Sequence, residues 1–425
     1  MPHPEPLRVS VMYVRCQHAV MDMRTTMTET ELLIIGGGVA GASTAYHLAQ
    51  DGHDVTLLER GEIASEASGV NAGAIGAMGW GNAPDLEAYL TMGSLEIFQS
   101  LQLDLGYDIA FRQSGCLHAI HTEAQYDYTR DRVQYLQAHG HNVALLTSRE
   151  ARNLEPALNP ALLGCMYMPL RAQADPKHAT RALAAAAARS GARIRTQCAV
   201  SSVQQRHDDT YLVETAYDTF VAGILIIAAG AWCAEIGRWL GLHIPITPVR
   251  GQMWATEPLP PRLFHTISSA ESAMDWYHAP GNDHETPPHL THQGGVRRTR
   301  HLYGRQTRDG EIIFGGDRQL AGYNTVPDPA GIEVNHTHAA EVLPVLTTLS
   351  IARTWAGLMP FSLDGAPLIG QIPQRRNLFI VSGLASSGFG RGPMAGKLLA
   401  DALHTGQPHT VLVAADPARC VTTTA

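Results

Sequence analysis

The sequence predicts an α/β protein in which a βαβ domain of the Rossmann type is interleaved with a second domain built on an antiparallel sheet. Two observations support this prediction. A strand, a glycine-rich turn, a helix and a second strand follow one another over residues 32–59. Strand-like segments then alternate with buried apolar runs, and a second glycine-rich turn leads into a helix that reaches residue 403. A chain of 425 residues is long enough for two or more such domains.

The first glycine-rich turn has the spacing GxGxxG, with Gly36, Gly38 and Gly41. Gly36 forms the tight turn, Gly38 lets a pyrophosphate approach the backbone, and Gly41 lets the following helix pack closely on the strand. The helix, predicted over 39–50, directs its free N–H groups towards the phosphates. The turn is therefore predicted to bind a dinucleotide.

The second strand of this unit ends at Glu59, whose carboxylate can accept hydrogen bonds from a ribose diol. The fingerprint alone does not separate NAD from FAD. Residues 60–76 consist largely of Gly, Ala and Ser, so this segment can lie flat against a planar ligand and donate backbone N–H groups. A nicotinamide enzyme would usually continue with another crossover helix, so the segment favours FAD.

Three features follow one another along the chain: Gly36-x-Gly38-x-x-Gly41, the pair Glu59 and Arg60, and the run Ser65-x-x-Ser68-Gly69-x-Asn71-Ala72-Gly73. With these motifs the sequence resembles the D-amino-acid oxidase superfamily, which includes glycine oxidase, sarcosine oxidase and related dehydrogenases. The resemblance extends over about residues 30–410 and implies FAD as the cofactor. The resemblance places Ser65, Ser68 and Gly69 near the pyrophosphate, Asn71 to Gly73 near the isoalloxazine ring, and a backbone contact to adenine at Val200. Further FAD-binding residues that it implies are Val39, Ala40, Ala229, Gly230, Trp232, Ser386, Ser387, Gly388, Phe389 and Gly390.

The rest of the chain supplies both domains in alternation. A helix is predicted from Pro176 to Gly191, a buried strand within 222–232, and a hairpin over 301–318 with its turn at Asp309-Gly310. Strand-like pieces at 112–120, 165–170 and 250–258 belong to the antiparallel sheet. We predict an FAD-binding domain of residues 28–95, 172–240 and 354–412, a substrate domain of residues 96–171 and 241–353, an N-terminal extension of residues 1–27 that is poorly ordered, and a C-terminal tail of residues 413–425.

Near the C-terminus, a buried strand at 378–383 leads into a glycine-rich turn and a helix predicted to open near Pro393. A helix N-terminus stabilises developing negative charge. The superfamily directs this helix at the pyrimidine side of the flavin, which implies that it stabilises the anionic reduced flavin.

The resemblance implies a reaction in which a carbon bonded to nitrogen gives a hydride to flavin N5, forming an imine. The electron acceptor is oxygen or another carrier. Two alternatives remain open: an FAD-dependent dehydrogenase acting on a C–OH bond, as in 2-hydroxy acids, and a flavin-bearing subunit of a larger dehydrogenase with little turnover of its own. Assembly as a homo-oligomer or in a dehydrogenase complex is also left open.

Two departures from the superfamily concern the flavin linkage and the substrate. Gly357 occupies the position at which some members attach FAD through a cysteine, so the FAD is predicted to be non-covalent. Met359 replaces the arginine of a Gly-Leu-Arg-Pro segment that, with a tyrosine matched here by Tyr303, anchors a substrate carboxylate. Either another arginine substitutes for it, with Arg305 the best candidate, or the substrate carries no carboxylate there. Trp276 and Tyr277 are predicted to pack within a loop rather than to line the substrate pocket.

Composition limits the other functions. The net charge of −8 argues against nucleic acid or an anionic membrane as the main partner, and no apolar run is long enough for a membrane span. Scattered cysteines without a CxxC pair indicate reduced thiols in a cytoplasmic enzyme, and no metal site is predicted. An exposed, solvated loop is predicted around His278, His284, His289 and His292 and the basic run Arg297, Arg298 and Arg300. The cysteines are Cys16, Cys116, Cys165, Cys198, Cys233 and Cys420.

Overall fold

The computed structural model describes residues 26–278 and 285–424. Most of the predicted N-terminal extension, together with Cys16 and His284, lies outside these residues. The side chains of Tyr277 and His278 also lie outside the description, so the expectation for Tyr277 is not addressed by the structure.

The strands are numbered in chain order. They are β1 (Thr26–Ile35), β2 (Val55–Leu58), β3 (Ala74–Ile75), β4 (Cys116–Ile120), β5 (Ala144–Thr147), β6 (Gly164–Met168), β7 (Ala172–Gln173), β8 (Arg193–Arg195), β9 (Val200–Gln205), β10 (Tyr211–Thr215), β11 (Asp218–Ile227), β12 (Leu242–His243), β13 (Ile246–Ala255), β14 (Thr266–Ser269), β15 (His292–Gln293), β16 (Val296–Arg297), β17 (Tyr303–Gln306), β18 (Ile312–Gly315), β19 (Gln319–Leu320), β20 (Arg353–Ser362), β21 (Leu368–Gln371), β22 (Leu378–Ser382) and β23 (Thr422–Thr423).

The α-helices are numbered in the same way. They are α1 (Val39–Gln50), α2 (Ala67–Val70), α3 (Leu86–Leu103), α4 (Glu123–Ala138), α5 (Ser148–Leu154), α6 (Pro176–Arg189), α7 (Cys233–Trp239), α8 (Glu271–His278), α9 (Pro329–Val342) and α10 (Gly388–Thr405). Short 3-10 helices span Gly230–Trp232, Pro344–Thr348, Ala385–Ser387, Thr410–Ala415 and Pro417–Arg419. None of the helices within 26–278 and 285–424 combines the length and apolar character that a membrane span requires.

The first sheet has the strand order β21-β22-β11-β1-β2-β8, and its strands from β22 to β8 run parallel. Apolar side chains of β1 alternate between two cores. Leu32 and Ile34 pack in the core that contains α1, α6 and α10, whereas Leu33 and Ile35 pack in the core on the opposite face. A parallel strand buried on both faces reads as a continuous apolar run, which explains why the sequence LLII predicts it.

Strand β1 is longer than the sequence predicts. It begins at Thr26, two residues inside the predicted N-terminal extension, because it pairs with β11 along its whole length, from Thr26 with Asp218 to Ile35 with Ile227. Its first half carries polar residues, so no apolar run marks it. Residues 26 and 27, which the prediction assigns to the extension, are thus part of β1.

Two helices beside the first sheet lie close to their predicted positions, although α6 ends at Arg189, two residues before the predicted Gly191. Helix α1 spans the predicted residues 39–50, and Gly52 follows its C-terminus with a φ of +87° that favours glycine. Helix α6 begins at Pro176, and the side chain of Asp175 accepts a hydrogen bond of 2.7 Å from the backbone N–H of His178. Proline in the first turn and aspartate at the N-cap are both favourable there.

The second sheet has the order β19-β13-β18-β17-β14-β4-β6-β5, with β20 also beside β13. Its neighbours are antiparallel except for β14 and β4, which are parallel. The predicted strand-like pieces contribute β4, β6 and β13, and the predicted hairpin forms β17 and β18, with Gly310 in its turn at a φ of +97°. The mixed α/β class with an antiparallel-sheet part is thus confirmed.

Three segments near the predicted domain boundaries pack with other partners than the prediction assigns to them. Residues 353–362 form β20, which pairs with β13 in the second sheet, although the sequence assigns 354–362 to the FAD-binding domain. Helix α3 continues to Leu103 in the core of the first sheet, beyond the predicted boundary at residue 95. Strand β23 of the predicted tail pairs with β12, and Val421 beside it is 3% exposed. Short-range patterns do not reveal these long-range partners.

Helices α1 and α10 pack on each other at close range. The hydroxyl of Ser43 donates a hydrogen bond of 2.6 Å to the carbonyl of Pro393, 350 residues later in the chain. A Cβ atom on Gly396 would come within 2.6 Å of the carbonyl oxygen of Ala40. Glycine is therefore required on α10 for the two helix backbones to approach this closely.

Candidate active site

A cavity of about 1780 Å³ lies between the two sheets. We call it the central cleft. Its walls include most of the residues that the sequence singled out: Gly36, Gly38, Val39, Ala40, Glu59, Arg60, Ser68, Asn71, Ala72, Val200, Ala229, Gly230, Trp232, Tyr303, Met359, Ser386, Ser387, Gly388, Phe389 and Gly390. Residues from separate parts of the chain thus meet at one cavity.

One end of the central cleft, which we call the cradle, is formed by residues 36–41 and Glu59. Gly36 has a φ of +119°, and a Cβ atom there would lie 2.4 Å from the carbonyl oxygen of Ala228. Gly38 is the N-cap of α1 and offers no side chain, while the N–H of Val39 donates to the hydroxyl of Ser68 at 2.9 Å. The N-terminus of α1 therefore opens on the cleft without a covering side chain at its cap position.

Glu59 is held rigidly at the end of β2. Its two carboxylate oxygens accept hydrogen bonds from the backbone N–H groups of Gly37 at 2.7 Å and Gly61 at 2.8 Å. The side chain is buried but still lines the cleft. The guanidinium of Arg60 stacks 3.7 Å from the ring centre of Trp232, and it also pairs with Glu66. Cation–π stacking and an ion pair fix the cleft wall next to Glu59.

Five predicted site residues lie behind the wall rather than on it. They are Gly41, Ser65, Gly69, Gly73 and Arg305. A Cβ atom would come within 2.1 Å of Gly36 O at Gly41, within 1.9 Å of Ala64 O at Gly69, and within 2.1 Å of Ala174 O at Gly73. The three glycines allow close backbone packing behind the cleft, as predicted for Gly41 but not for the other two.

The N-terminus of α10 also opens on the central cleft. The helix begins at Gly388, and Ser387 at its N-cap makes no capping hydrogen bond through its side chain. The sequence predicted a start near Pro393, which instead lies inside the helix. Proline removes one backbone hydrogen bond and crowds the carbonyl four residues earlier. The helix nevertheless begins one turn ahead of Pro393 and continues through it. Free N–H groups at a helix start attract negative charge.

These features fit a bound dinucleotide. Two helix N-termini offer backbone N–H groups to anionic atoms, a fixed carboxylate lies at the end of β2, and small residues from Ala67 to Ala74 form a low wall between them. The wall is not uniformly extended, because α2 (Ala67–Val70) makes one helical turn within it.

The opposite end of the cleft, which we call the substrate end, is bounded by Met253, Trp276, His301, Tyr303, Arg318 and Met359. Met359 packs towards Gly251, where a Cβ atom would come within 2.9 Å of its Cε. The hydroxyl of Tyr303 is fully buried although the residue as a whole is only partly buried, so the ring and not the hydroxyl faces the cleft. Burial raises the pKa of Tyr303, which keeps the hydroxyl protonated.

Arg305 does not occupy the position expected of a substrate clamp. Its guanidinium donates to the carbonyl of Ala72 at 2.5 Å, to Oε1 of Gln173 at 3.1 Å and to the carbonyl of Ala174 at 3.2 Å. It is 4% exposed and lies behind the cleft wall. The guanidinium of Arg305 is thus occupied in holding the backbone carbonyls of Ala72 and Ala174. Its location does not fit the prediction that Arg305 takes over the role of the missing arginine.

Sequence reasoning missed Arg318 and His301 and misjudged Trp276. Trp276 lies on α8 and lines the cleft, and the guanidinium of Arg318 stacks 4.1 Å from its ring centre. Burial lowers the pKa of His301 well below its usual range and lowers that of Arg318 to about 9. The segment GGDR ends the predicted hairpin, but only the tertiary structure shows that Arg318 is buried at the cleft.

The predicted exposed loop with its basic run is only partly correct. Arg298 is exposed, but Arg297 forms an ion pair with the buried carboxylate of Asp317 at 2.5 Å. Arg300 pairs with Glu271 at 2.8 Å and with Glu341 at 2.9 Å. His289 lines the cleft. Buried or half-buried carboxylates need cationic partners, and the arginines supply them.

One cluster outside the cleft holds ligand-type atoms. His121, His338 and Glu341 bring their side-chain donor atoms within 4.8 Å of one another, whereas the sequence predicted no metal site. Arg300 lies beside this cluster and already pairs with Glu341. The carboxylate therefore has a cationic partner in the protein itself.

Comparison with known proteins agrees with this architecture. A family model described as FAD dependent oxidoreductase matches residues 31–402. Glycine oxidase of Geobacillus kaustophilus (strain HTA426) is 30% identical, over 87% of this chain and 92% of that protein. Human mitochondrial dimethylglycine dehydrogenase is 29% identical over 92% of this chain, which corresponds to 44% of that longer protein. The crystal structure of glycine oxidase from Geobacillus kaustophilus aligns with a TM-score of 0.78 and 25% identity, covering 92% of this chain and 99% of that chain.

Proposed function

The chain belongs to the FAD-dependent oxidoreductase family, and from this premise we propose that it oxidises the C–N bond of an amine or amino acid to an imine. Bound FAD supplies the two-electron acceptor for such a reaction. Water then hydrolyses the imine to a carbonyl compound and an amine or ammonia. The remaining steps depend on what the residues of the central cleft do.

The observation that supports the proposal is the continuity of the central cleft. One cavity connects the cradle and the uncapped start of α10 to the substrate end. A small molecule held near Tyr303 and Met359 would therefore lie in the same cavity as the cofactor. The relatives' names, glycine oxidase and dimethylglycine dehydrogenase, refer to amino acids and thereby support a nitrogen-bearing substrate.

The residues assigned to FAD follow from their places in the cleft. Gly36, Gly38 and the N-terminus of α1 would receive the pyrophosphate, and Glu59 the ribose. The start of α10 would lie towards the atoms of the flavin that gain negative charge. Val200 and Trp232 would border the adenosine end.

We propose that the FAD is bound without a covalent link. Gly357 borders the cleft and offers no side-chain nucleophile. Cys116, Cys165 and Cys233 are buried, and burial raises the pKa of Cys165 to about 12 and of Cys233 to about 11. Thiols held protonated in this way are poor nucleophiles.

The substrate end offers the reacting amine a partly apolar surrounding. Met253, Met359 and the ring of Tyr303 provide apolar walls. His301 is neutral because burial lowers its pKa, and its Nδ1 lies 2.8 Å from the hydroxyl of Ser272. An apolar surrounding favours the uncharged amine, which is the form that can be oxidised.

Anaerobic spectroscopy tests the proposal. The purified protein is mixed with matched pairs of compounds: glycine and glycolate, alanine and lactate, and sarcosine and methoxyacetate. We expect loss of the oxidised-flavin absorbance with at least one nitrogen compound and not with its oxygen counterpart. Bleaching by glycolate or lactate alone would instead establish the C–OH reaction, and no bleaching by any compound would favour a subunit with little turnover.

Two further measurements complete this test. Acid precipitation should leave the flavin in the supernatant, whereas flavin in the pellet would contradict non-covalent binding. Hydrogen peroxide formed on admission of air would identify an oxidase. Its absence, with electrons passing to an artificial dye, would identify a dehydrogenase.

A further inference from the structure

Arg318 is a buried cation for which residues 26–278 and 285–424 supply no anionic partner. It is 7% exposed and borders the substrate end of the central cleft. In the part of the chain that the structure describes, no carboxylate forms an ion pair with it. The acid beside it in sequence, Asp317, is already bound by Arg297 at 2.5 and 3.0 Å and by Gln252 at 2.7 Å.

The position of Arg318 is fixed from several sides. Its backbone N–H donates to the hydroxyl of Thr291 at 2.8 Å, and its carbonyl accepts from the backbone N–H of Thr291 at 3.1 Å. The guanidinium stacks on Trp276 and donates to the carbonyl of His289 at 3.2 Å and to Nε2 of His301 at 3.4 Å. These acceptors are neutral, and they use only part of the donor set of a guanidinium.

We propose that Arg318 receives the carboxylate of the substrate, in place of the cationic side chain that Met359 cannot provide. This inference rests on the proposed function, and it narrows the substrate class from amines in general to amines that carry a carboxylate. A carboxylate matches the planar fork of an arginine in two parallel hydrogen bonds.

Energetics favour such a ligand. A guanidinium held out of water without a counter-ion is costly, and burial lowers the pKa of Arg318 to about 9. An entering carboxylate would supply the missing charge, and the surrounding walls would strengthen their attraction. Stacking on Trp276 and contact with His301 orient the guanidinium before the ligand arrives, which reduces the entropy lost on binding.

Two other arginines near the cleft are weaker candidates. Arg305 lies behind the wall, and its donors are bound to Ala72, Gln173 and Ala174. Arg171 borders the cleft, and its buried Nε has no partner in the structure, but it is not fixed by stacking or by ring contacts as Arg318 is. Arg171 therefore serves as the internal comparison in the test.

The test uses the flavin-containing protein and a carboxylate probe, benzoate, with benzamide as its uncharged counterpart. Dissociation constants come from changes in the flavin absorbance on titration. We expect Arg318→Gln to weaken benzoate binding about 10- to 100-fold, the loss of one charged hydrogen-bonding group, and to leave benzamide binding nearly unchanged. Arg318→Lys should fall between, because an ammonium keeps the charge but not the fork.

Arg298→Gln is the matched control, since Arg298 is exposed, bonds to Gln293 and does not border the central cleft. It should bind benzoate as the unaltered protein does. If Arg318→Gln does not fold, Arg318→Lys provides the readout. The inference is overturned if benzoate binds either Arg318 variant as tightly as the unaltered protein, if benzoate does not bind the unaltered protein, or if only Arg171→Gln weakens it.

Failure of the proposed function gives a different result. In that case no amine or amino acid bleaches the flavin of the unaltered protein, while the loss of benzoate binding in Arg318→Gln would persist. Conversely, amino acids could bleach the flavin of the unaltered protein and of Arg318→Gln and bind both with equal affinity. That result would support the proposed function and contradict a role of Arg318 in binding the carboxylate.

Discussion

The two ends of the central cleft are built in different ways. At the cradle, the polar groups find their partners within one short stretch of chain, as when Glu59 binds the N–H groups of Gly37 and Gly61. At the substrate end, Trp276, His301 and Arg318 come from separate segments, and the indole N–H of Trp276 is buried without a hydrogen-bond partner among the residues that the structure describes. A cofactor end that is the same in every turnover can be completed in advance, whereas a substrate end keeps unsatisfied groups for its ligand.

The largest effect is expected from a substitution in the cradle. It tests whether the cradle is formed before its ligand binds. A Cβ atom at Gly41 would lie only 2.1 Å from the carbonyl oxygen of Gly36, and Gly41→Val adds this atom and two methyl groups. Overpacking of about 3 kcal/mol would weaken FAD binding about 100-fold. The measurement is the flavin absorbance per mole of purified protein, followed by titration of the apoprotein with FAD.

Gly52→Asn is the control at the other end of the same helix. Gly52 has a φ of +87° and open space around its Cβ position, and asparagine tolerates this conformation. It should keep its flavin. Full flavin content in Gly41→Val would show that the cradle adjusts to its ligand and is not preformed.

A fall in pH is expected to have an effect of intermediate size. It should destabilise the second sheet more than the first sheet. Burial lowers the pKa of His118 and His338 to about 4 and that of His301 well below its usual range, and all three lie in or beside the second sheet. In the core around the first sheet, burial lowers the pKa of His47 to about 4. The unfolded chain binds these protons near pH 6.5, so stability is lost as the pH falls from about 6.5 to 4. For each histidine whose pKa falls from 6.5 to about 4, the contribution is on the order of 3 kcal/mol.

Hydrogen exchange, corrected for its intrinsic pH dependence, measures this difference. Amides of β4, β14 and β17 should lose protection at a higher pH than those of β1 and β11. His338→Gln should reduce the acid sensitivity of the second sheet, with His53→Gln as the control outside that sheet, because the side chain of His53 is 23% exposed and pairs with Glu31. Earlier loss of protection in β1 would refute the assignment.

The smallest effect is expected at Tyr303. The resemblance to the amino-acid oxidases implies that its hydroxyl anchors the substrate, but in the structure that hydroxyl is buried away from the cleft. Tyr303→Phe should therefore change the dissociation constant of benzoate by less than about threefold, since removal of a buried hydroxyl without a good partner is nearly neutral. A loss similar to that of Arg318→Gln would restore Tyr303 to the carboxylate site.

The sequence predicts the contiguous parts of the fold well. Helix α1, helix α6 and the hairpin of β17 and β18 depend on local glycine, proline and capping signals, and these lie where expected. The length of β1 and the membership of β20 in the second sheet depend on partners far along the chain. Hydrophobic periodicity reports burial but not the identity of the neighbour.

The same limit applies to the site. The glycines of the cradle and Glu59 are recognisable because each meets a local geometric demand. Arg305 and Arg318 lie on the same predicted hairpin with the same charge, yet one binds backbone carbonyls behind the wall and the other borders the cleft. Only the packing of Trp276 and Thr291 around the second arginine distinguishes them.

The contact between α1 and α10 has a consequence for biosynthesis. Ser43 and Pro393 are 350 residues apart, so the helix that carries the glycine-rich turn emerges from the ribosome long before its packing partner. The nascent chain must keep an apolar, alanine-rich surface covered for most of translation, a period in which unpaired elements are prone to aggregate. Premature termination anywhere before α10 would leave this surface exposed, so truncated products should be captured by chaperones and degraded rather than retain flavin.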